Sequence, residues 1–359
     1  MASGGVSAYG ALHSRVRVMY GGLLTPHQGV RLNGAANLTE LVSVLKDTAY
    51  GPYLSTSEDV DLTARFLSAR IRERLAAVYA TIILTAPVST RPLLVQLFRH
   101  FEIDNLKALL RGLATSATWE QVRDVLFPLG DLSTIPAQNV MEAGTVEAAV
   151  GRLAHTPYFG TLTQALKRYG EEKSLFPIEV ALDLSYWHKL WAAANQLPGD
   201  DRAQARRILG PLVDVTNLMW AIRYRTYYHL AEEEIINYTL PFGYRVHDAD
   251  IRHVAAGGDV TGIVERIYPE LHDVAALMES PERGLPKLEL RILRSLRSHL
   301  RSVFSGYPFH IGLPLAFALL NELEVQDLTV WIESKAAQIP PEVFTPYLLL
   351  ETAMELGSP

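Results

Sequence analysis

The chain has 359 residues, 48% of them hydrophobic and 20% charged, with a formal net charge of -6. That length holds two or three domains with a buried core, and that composition excludes a disordered chain. The negative charge argues against a nucleic-acid partner, which needs a basic surface, and the lack of cysteine excludes disulfides, thiolate metal sites and cysteine nucleophiles and suits a cytoplasmic protein.

Met1 is followed by small residues and Gly4-Gly5, with no basic or apolar leader region, so no signal peptide is expected. Over Asp61–Leu84, residues Leu62, Phe66, Leu67, Ile71, Leu75 and Val78 recur at threes and fours, with Arg65, Arg70, Arg72, Glu73 and Arg74 between them. That period predicts an amphipathic helix. The most apolar stretches, Leu75–Val88 and Phe309–Leu323, fall short of the roughly 20 residues that span a bilayer. Both read as core helices, and any membrane association is expected to be peripheral. Candidate helix stops recur at Pro52, Pro87, Pro92, Pro128, Pro157, Pro177, Pro198, Pro211, Pro286, Pro308 and Pro340-Pro341. No run alternates with hairpin turn chemistry, although Tyr238–Val246 could be a short extended segment. The class is all-α.

Several polar or aromatic groups invite a chemical reading, and each has a plainer one. Trp187 and Trp191, like Tyr227-Tyr228, read as core or interface aromatics. Glu232-Glu233-Glu234 point in different directions on a helix and read as a solvated face. His247 and His253 are six apart and do not share a helix face, while Asp248 or Asp250 reads as an N-cap, so no metal site is expected there. His310, flanked by apolar residues, reads as a hydrogen-bonded core or cap histidine. Over Glu289–Val303 the apolar face is Leu290, Leu293, Leu296, Leu300 and Val303, and a basic strip of Lys287, Arg291, Arg294, Arg297 and Arg301 runs along the helix. The strip is either solvated or a docking surface for an acidic partner or anionic headgroups.

A weak internal repeat organises the chain. The segments beginning Asp104-Asn105-Leu106, Thr216-Asn217-Leu218 and Gln326-Asp327-Leu328 align at offsets of 112 and 110 residues. Tyr50, Tyr158 and Tyr268 keep nearly the same period, as do Pro177 and Pro286, each opening a long helical pattern. Three copies of roughly 110 residues nearly exhaust the chain, which suits three small domains better than a solenoid of helix pairs. The expected regions are 1–136, 137–247 and 248–359. Asn105, Asn217 and Asp327 are then equivalent structural residues, each either capping a helix start or sitting mid-helix and tying down a neighbouring element.

There is no Gly-x-x-x-x-Gly-Lys-Ser/Thr loop, Gly-x-Gly-x-x-Gly, His-Glu-x-x-His or Gly-x-Ser-x-Gly. No catalytic residue, cofactor or metal is expected, and the chain reads as a non-enzyme.

Three motifs carry a family resemblance. Phe309-His310-Ile311-Gly312, Leu315-Ala316-Phe317 and Leu319-Leu320 through Glu322, Glu324-Val325, Leu328 and Ile332 resemble the C-terminal signature of the family of V/A-type ATPase C subunits, called d subunits in eukaryotes. Asn321 stands where that family usually has Lys, and Asp327 where it usually has Asn. Glu102–Gly112 matches a second family motif, and Ser14-Arg15-Val16-Arg17-Val18-Met19 resembles its N-terminal helix, Ser14 standing in for Asn-Ala. The resemblance implies three similar helical domains about a pseudo-threefold axis, forming a funnel. It implies a mechanical role, coupling the central stalk subunits D and F to the membrane rotor ring that carries protons or sodium, on the cytoplasmic face of the membrane sector. A helical scaffold or adaptor unrelated to rotary motors is the alternative class.

Overall fold

The computed structural model of the protein describes residues 2–54 and 61–350, with side chains from residue 8 onward. Met1, and the last nine residues of the region 248–359, lie outside the described residues. Eight principal helices carry the architecture: α1 (Ala2–Tyr20), α2 (Ala64–Thr85), α3 (Arg91–Ala114), α4 (Phe159–Glu172), α5 (Phe176–Gln196), α6 (Gly199–Thr226), α7 (Pro281–Ser302) and α8 (Gly312–Ala336). Shorter helices fill the stretches between them, and no strand occurs among the described residues. Tyr238–Val246 is accordingly irregular, not extended in a sheet. The backbone N–H groups of Leu240, Tyr244, Arg245 and Val246 go to side chains of α6 instead.

The helices start where local chemistry favours it. Thr63 caps α2, its hydroxyl accepting the N–H of Phe66 at 3.1 Å. Pro92 and Pro177 sit in the first turns of α3 and α5, where a missing N–H costs nothing, so they open helices. Pro211 and Pro286, read from the sequence as stops, lie inside α6 and α7. Each removes the N–H that would serve the carbonyl four residues earlier. A neighbouring side chain repairs both losses. His299 Nε2 lies 3.2 Å from the Arg207 carbonyl, and the Tyr227 hydroxyl donates to the Glu282 carbonyl at 3.0 Å. A carbonyl only accepts, so His299 carries its proton on Nε2.

The long helices pair as three hairpins: α2 with α3, α5 with α6, and α7 with α8. Between hairpins α3 packs on α5, α6 on α7, and α8 back on α2, so the packing closes a cycle. The apolar faces that drive it are Leu67, Ile71, Leu75 and Val78 on α2, and Leu285, Leu288, Ile292, Leu296 and Leu300 on α7. On α7 that face is rotated from the expected one, leaving Leu290 and Leu293 on its half-buried flank. One large core runs through all three hairpins. A smaller one joins residues 24–71 to the end of α8 and to Phe344, Leu348 and Leu350, so the early part of the chain packs on its late part.

Helix α1 lies across the turns of the hairpins. It buries Tyr9, Leu12 and Val16, one stripe at steps of three and four. The Tyr9 hydroxyl donates to Asp201 at 2.8 Å in the first turn of α6, and the other Asp201 oxygen accepts the N–H of Ile311 at 2.9 Å before α8. Arg17 donates to the Phe304 carbonyl at 2.7 Å, and Tyr20 stacks on the Phe304 ring at 3.7 Å.

Candidate functional site

Asn105, Asn217 and Asp327 sit inside α3, α6 and α8, none more than 5% exposed. They are therefore ties, not caps. The Asn105 amide donates to the Phe127 carbonyl at 2.8 Å and accepts the Phe127 N–H at 2.7 Å. Asn217 makes the same pair with Leu240, at 3.0 and 2.7 Å. Asp327 has no donor when ionised, and instead accepts the N–H groups of Leu349 at 2.5 Å and Leu350 at 2.8 Å. The bonded residue lies 22 or 23 positions downstream in every case. Each side chain bonds its own downstream segment, and the three do not meet one another.

One turn earlier on each helix stands a buried carboxylate: Glu102, Asp214 and Glu324. Sequence reasoning missed these, although they keep the period of the asparagines. Glu102 accepts the Tyr158 hydroxyl at 2.6 Å, the Thr134 N–H, and Arg99 at 2.7 Å. Glu324 accepts the Tyr50 hydroxyl at 2.8 Å and the Leu24 N–H at 2.5 Å. Asp214, one methylene shorter, accepts three backbone N–H groups, from Tyr244, Arg245 and Val246, at 2.7, 2.7 and 3.1 Å. The tyrosine that would correspond, Tyr268, faces it with a buried hydroxyl that has no hydrogen-bond partner among the described residues. So tyrosines at one sequence period meet carboxylates at the same period, and Tyr50 closes the cycle onto Glu324, 274 positions away.

Burial governs the electrostatics. It raises the pKa of Glu324, against the nearby Arg74 and the bonds from Leu24 and Tyr50, and raises Asp214 against its three N–H donors. Burial also lifts Asp327 to about 6, opposed by the two N–H groups and by Arg297. Arg74, interleaved among surface-type residues in the sequence, is only 4% exposed. Its guanidinium donates to Asn321 at 3.1 Å and lies 4.2 Å from the centre of the Tyr50 ring. Asn321 thus supplies an acceptor to a buried cation.

The basic strip is partly consumed by the fold. Arg294 donates to the carbonyls of Leu348 at 2.8 Å and Pro346 at 3.2 Å, and Arg297 to that of Leu349 at 3.0 Å. Arg291 donates to the His272 carbonyl at 2.9 Å, while Lys287 and Arg301 are exposed. Arg297 and Asp327 therefore divide a task that Asn105 and Asn217 each perform alone. The carboxylate takes the N–H groups of the downstream segment, and the guanidinium takes the carbonyl.

Other singled-out residues have local roles. Trp187 is buried and Trp191 stacks on Phe242 at 5.5 Å. His310 is buried and accepts the Gly312 N–H at 3.0 Å, with burial pulling its pKa down. Asp250, not at the cap but three residues inside, accepts the His247 N–H at 2.8 Å, and Glu234 likewise accepts that of Ala231 at 3.2 Å.

The tyrosines give a direct test of this geometry. Tyr50→Phe and Tyr158→Phe should each cost about 1.5–3 kcal/mol, because each deprives a buried carboxylate of a donor. Tyr268→Phe should be neutral or stabilising, since it removes a hydroxyl that is buried without a partner. Urea denaturation of the three variants decides it, and equal losses at all three positions would contradict the bonding pattern.

Residues 12–346 match the family model described as ATP synthase (C/AC39) subunit. The chain is 25% identical over 343 residues to the C subunit of the A-type ATP synthase of Methanocaldococcus jannaschii, covering 94% of this chain and 85% of that one. It is 26% identical to the C subunit of the A-type ATP synthase of Methanothermobacter thermautotrophicus, covering 94% and 86%. With that of Methanococcoides burtonii it shares 24% identity, covering 97% and 96%.

Proposed function

Because the chain belongs to the ATP synthase (C/AC39) subunit family, we propose that it is the non-catalytic coupling subunit of a V/A-type rotary ATPase or ATP synthase. In this reading it stands between the central stalk subunits D and F and the membrane rotor ring, peripheral to the membrane sector on its cytoplasmic side. Its three regions, 1–136, 137–247 and 248–359, act as similar domains about a pseudo-threefold axis, and turning the stalk turns the ring for proton or sodium transport.

The observation that carries this reading is the closed cycle of hairpin packing, locked by the bonds of Tyr158 to Glu102 and Tyr50 to Glu324. A body that transmits torque must not shear, and buried charge-assisted bonds between successive segments resist shear because breaking one strands a carboxylate. No helix among the described residues is long and apolar enough to cross a membrane. Lys287, Arg291 and Arg301 are the members of the basic strip proposed to dock a partner, while Arg294 and Arg297 hold the segment 346–349.

The test is co-expression of the tagged chain with the D and F stalk proteins and the ring protein. Both stalk and ring should be retained on the tagged chain, and either one missing overturns the coupling role. In the same assay a Lys287→Glu/Arg301→Glu chain should retain less partner, with the deficit shrinking as salt rises because exposed charges are screened within about 10 Å at 0.1 M.

A further inference from the structure

Between α6 and α7 lies a cleft of about 390 Å³ lined by Arg207, Pro211, Arg245, Tyr268, Glu270 and His299, together with Tyr244 and Ser295. Nothing in the coupling role uses these groups. We propose that this cleft binds a phosphate-type oxyanion between the guanidinium groups of Arg207 and Arg245 and the imidazole of His299.

Three observations support the assignment. First, two guanidinium groups line this cleft without a carboxylate bonded to either among the described residues, the Asp214 that feels the charge of Arg245 being held by three backbone N–H groups. Arg207 makes no side-chain hydrogen bond or ion pair with any described residue, and Arg245 reaches only the Ile267 carbonyl, at 3.1 Å. Glu270, the one acid on the wall, is already bonded by the Ser295 hydroxyl.

Second, the earlier cleft at the seam between α3 and α5 offers an internal comparison. Gln96, Arg99, Tyr158, Ser185 and Lys189 line it, each lying 110 to 112 residues before Arg207, Pro211, Tyr268, Ser295 and His299. There the charges are spent within the protein. Arg99 is bonded to Glu102 and the Leu132 carbonyl, Lys189 to the Pro157 carbonyl, and neutral Gln96 stands where Arg207 stands later. In the α6–α7 cleft Pro211 and His299 replace Arg99 and Lys189, Arg207 and Arg245 supply the charge with no carboxylate bonded to either among the described residues, and the hydroxyl of Tyr268 on its wall has no hydrogen-bond partner among those residues.

Third, His299 is held in place. The carbonyl freed by Pro211 fixes Nε2 as the protonated nitrogen and leaves Nδ1 for a second partner. Burial lowers the imidazole pKa against the opposing bond to the Arg207 carbonyl, and the charges of Arg207 and Arg245 lower it further. A bound oxyanion would reverse that push, so anion binding and proton uptake at Nδ1 should be linked. The groups facing the ring are Arg207 from α6, Arg245 and Tyr244 from the following loop, Tyr268 and Glu270 from residues 267–270, and Ser295 from its own helix. The cleft has no glycine-rich cradle, so recognition stops at the anion.

The experiment titrates the full chain with inorganic phosphate by calorimetry at low ionic strength and follows the His299 resonance. Saturable one-to-one binding is expected, competed by sulfate and weakened tenfold or more in Arg207→Gln. Arg207→Lys should retain part of it, because charge survives while the planar fork is lost. Binding should be unchanged in Arg15→Gln, an exposed arginine on α1. Saturation should move the His299 pKa upward in the parent chain and leave it in place in Arg207→Gln, a readout that folding alone would not give. Absence of saturable binding overturns the proposal, as does equal weakening in Arg15→Gln, which would mean a diffuse charge effect. Flotation with phosphatidylglycerol vesicles separates the source. Capture by vesicles without binding of free phosphate also overturns a small-anion site.

Discussion

Replacing Glu324 by alanine is expected to lower the unfolding free energy by about 3–5 kcal/mol, the range for removing one partner of a buried charge network. The carboxylate accepts the Leu24 N–H and the Tyr50 hydroxyl, and the buried Arg74 beside it offsets its charge. Without it, both donors and the guanidinium would be stranded in the core that joins the beginning of the chain to the end of α8. Glu324→Gln should cost far less, about 1 kcal/mol, because an amide of the same shape still accepts the Leu24 N–H. The sign of the pH dependence follows from burial. The folded pKa is raised, so the ionised form is disfavoured in the fold, and the parent chain loses stability relative to Glu324→Gln as pH rises above the unfolded carboxyl value. Urea melts of both variants across pH test this. Equal losses for alanine and glutamine would show that the hydrogen bonds do not matter.

Asn217→Ala should cost about 2–4 kcal/mol, because the N–H and carbonyl of Leu240 are both buried and both lose their partner. Asn217→Asp should do no better. A carboxylate can accept the Leu240 N–H but turns its second oxygen against the Leu240 carbonyl. Asp327→Asn fails for the opposite reason, since its amide would point N–H donors at the N–H of Leu350. It also removes a titrating group. The folded pKa of Asp327 lies near 6, against an unfolded value near 3.8. Its contribution is therefore fully present below the unfolded value and is lost as pH rises through 6, on the order of 2–3 kcal/mol. The stability difference between the parent chain and Asp327→Asn should shrink across that window, in chemical denaturation at pH 4 and pH 7. A difference independent of pH would mean that Asp327 does not titrate there.

The all-α class was legible in the sequence, as was the spacing at which Asn105, Asn217 and Asp327 recur, because an apolar face at threes and fours and a recurring short polar residue are local signals. The sequence also offered Glu102, Asp214 and Glu324 at the same period, but a carboxylate in a helical pattern reads as solvated until its neighbours are known. Arg74 was hidden in the same way among Arg70, Arg72 and Glu73. The prolines misled for a related reason. Pro211 and Pro286 break helices in isolation, and only His299 and Tyr227, 88 and 59 positions away along the chain, make them tolerable inside α6 and α7.

What the residues determined unaided was therefore what near neighbours decide: helix, apolar face, the spacing of short polar residues, and the absence of recognised catalytic motifs. Tertiary structure alone decided which polar side chains are spent. Arg294 and Arg297 left the strip for carbonyls of residues 346–349, while Arg207 bonds none of the described residues in a cleft whose earlier counterpart has Arg99 bonded to Glu102. The physical reason is that a side chain's partner lies wherever the fold brings a buried N–H or carbonyl, here up to 302 positions away, and no helical period encodes that distance.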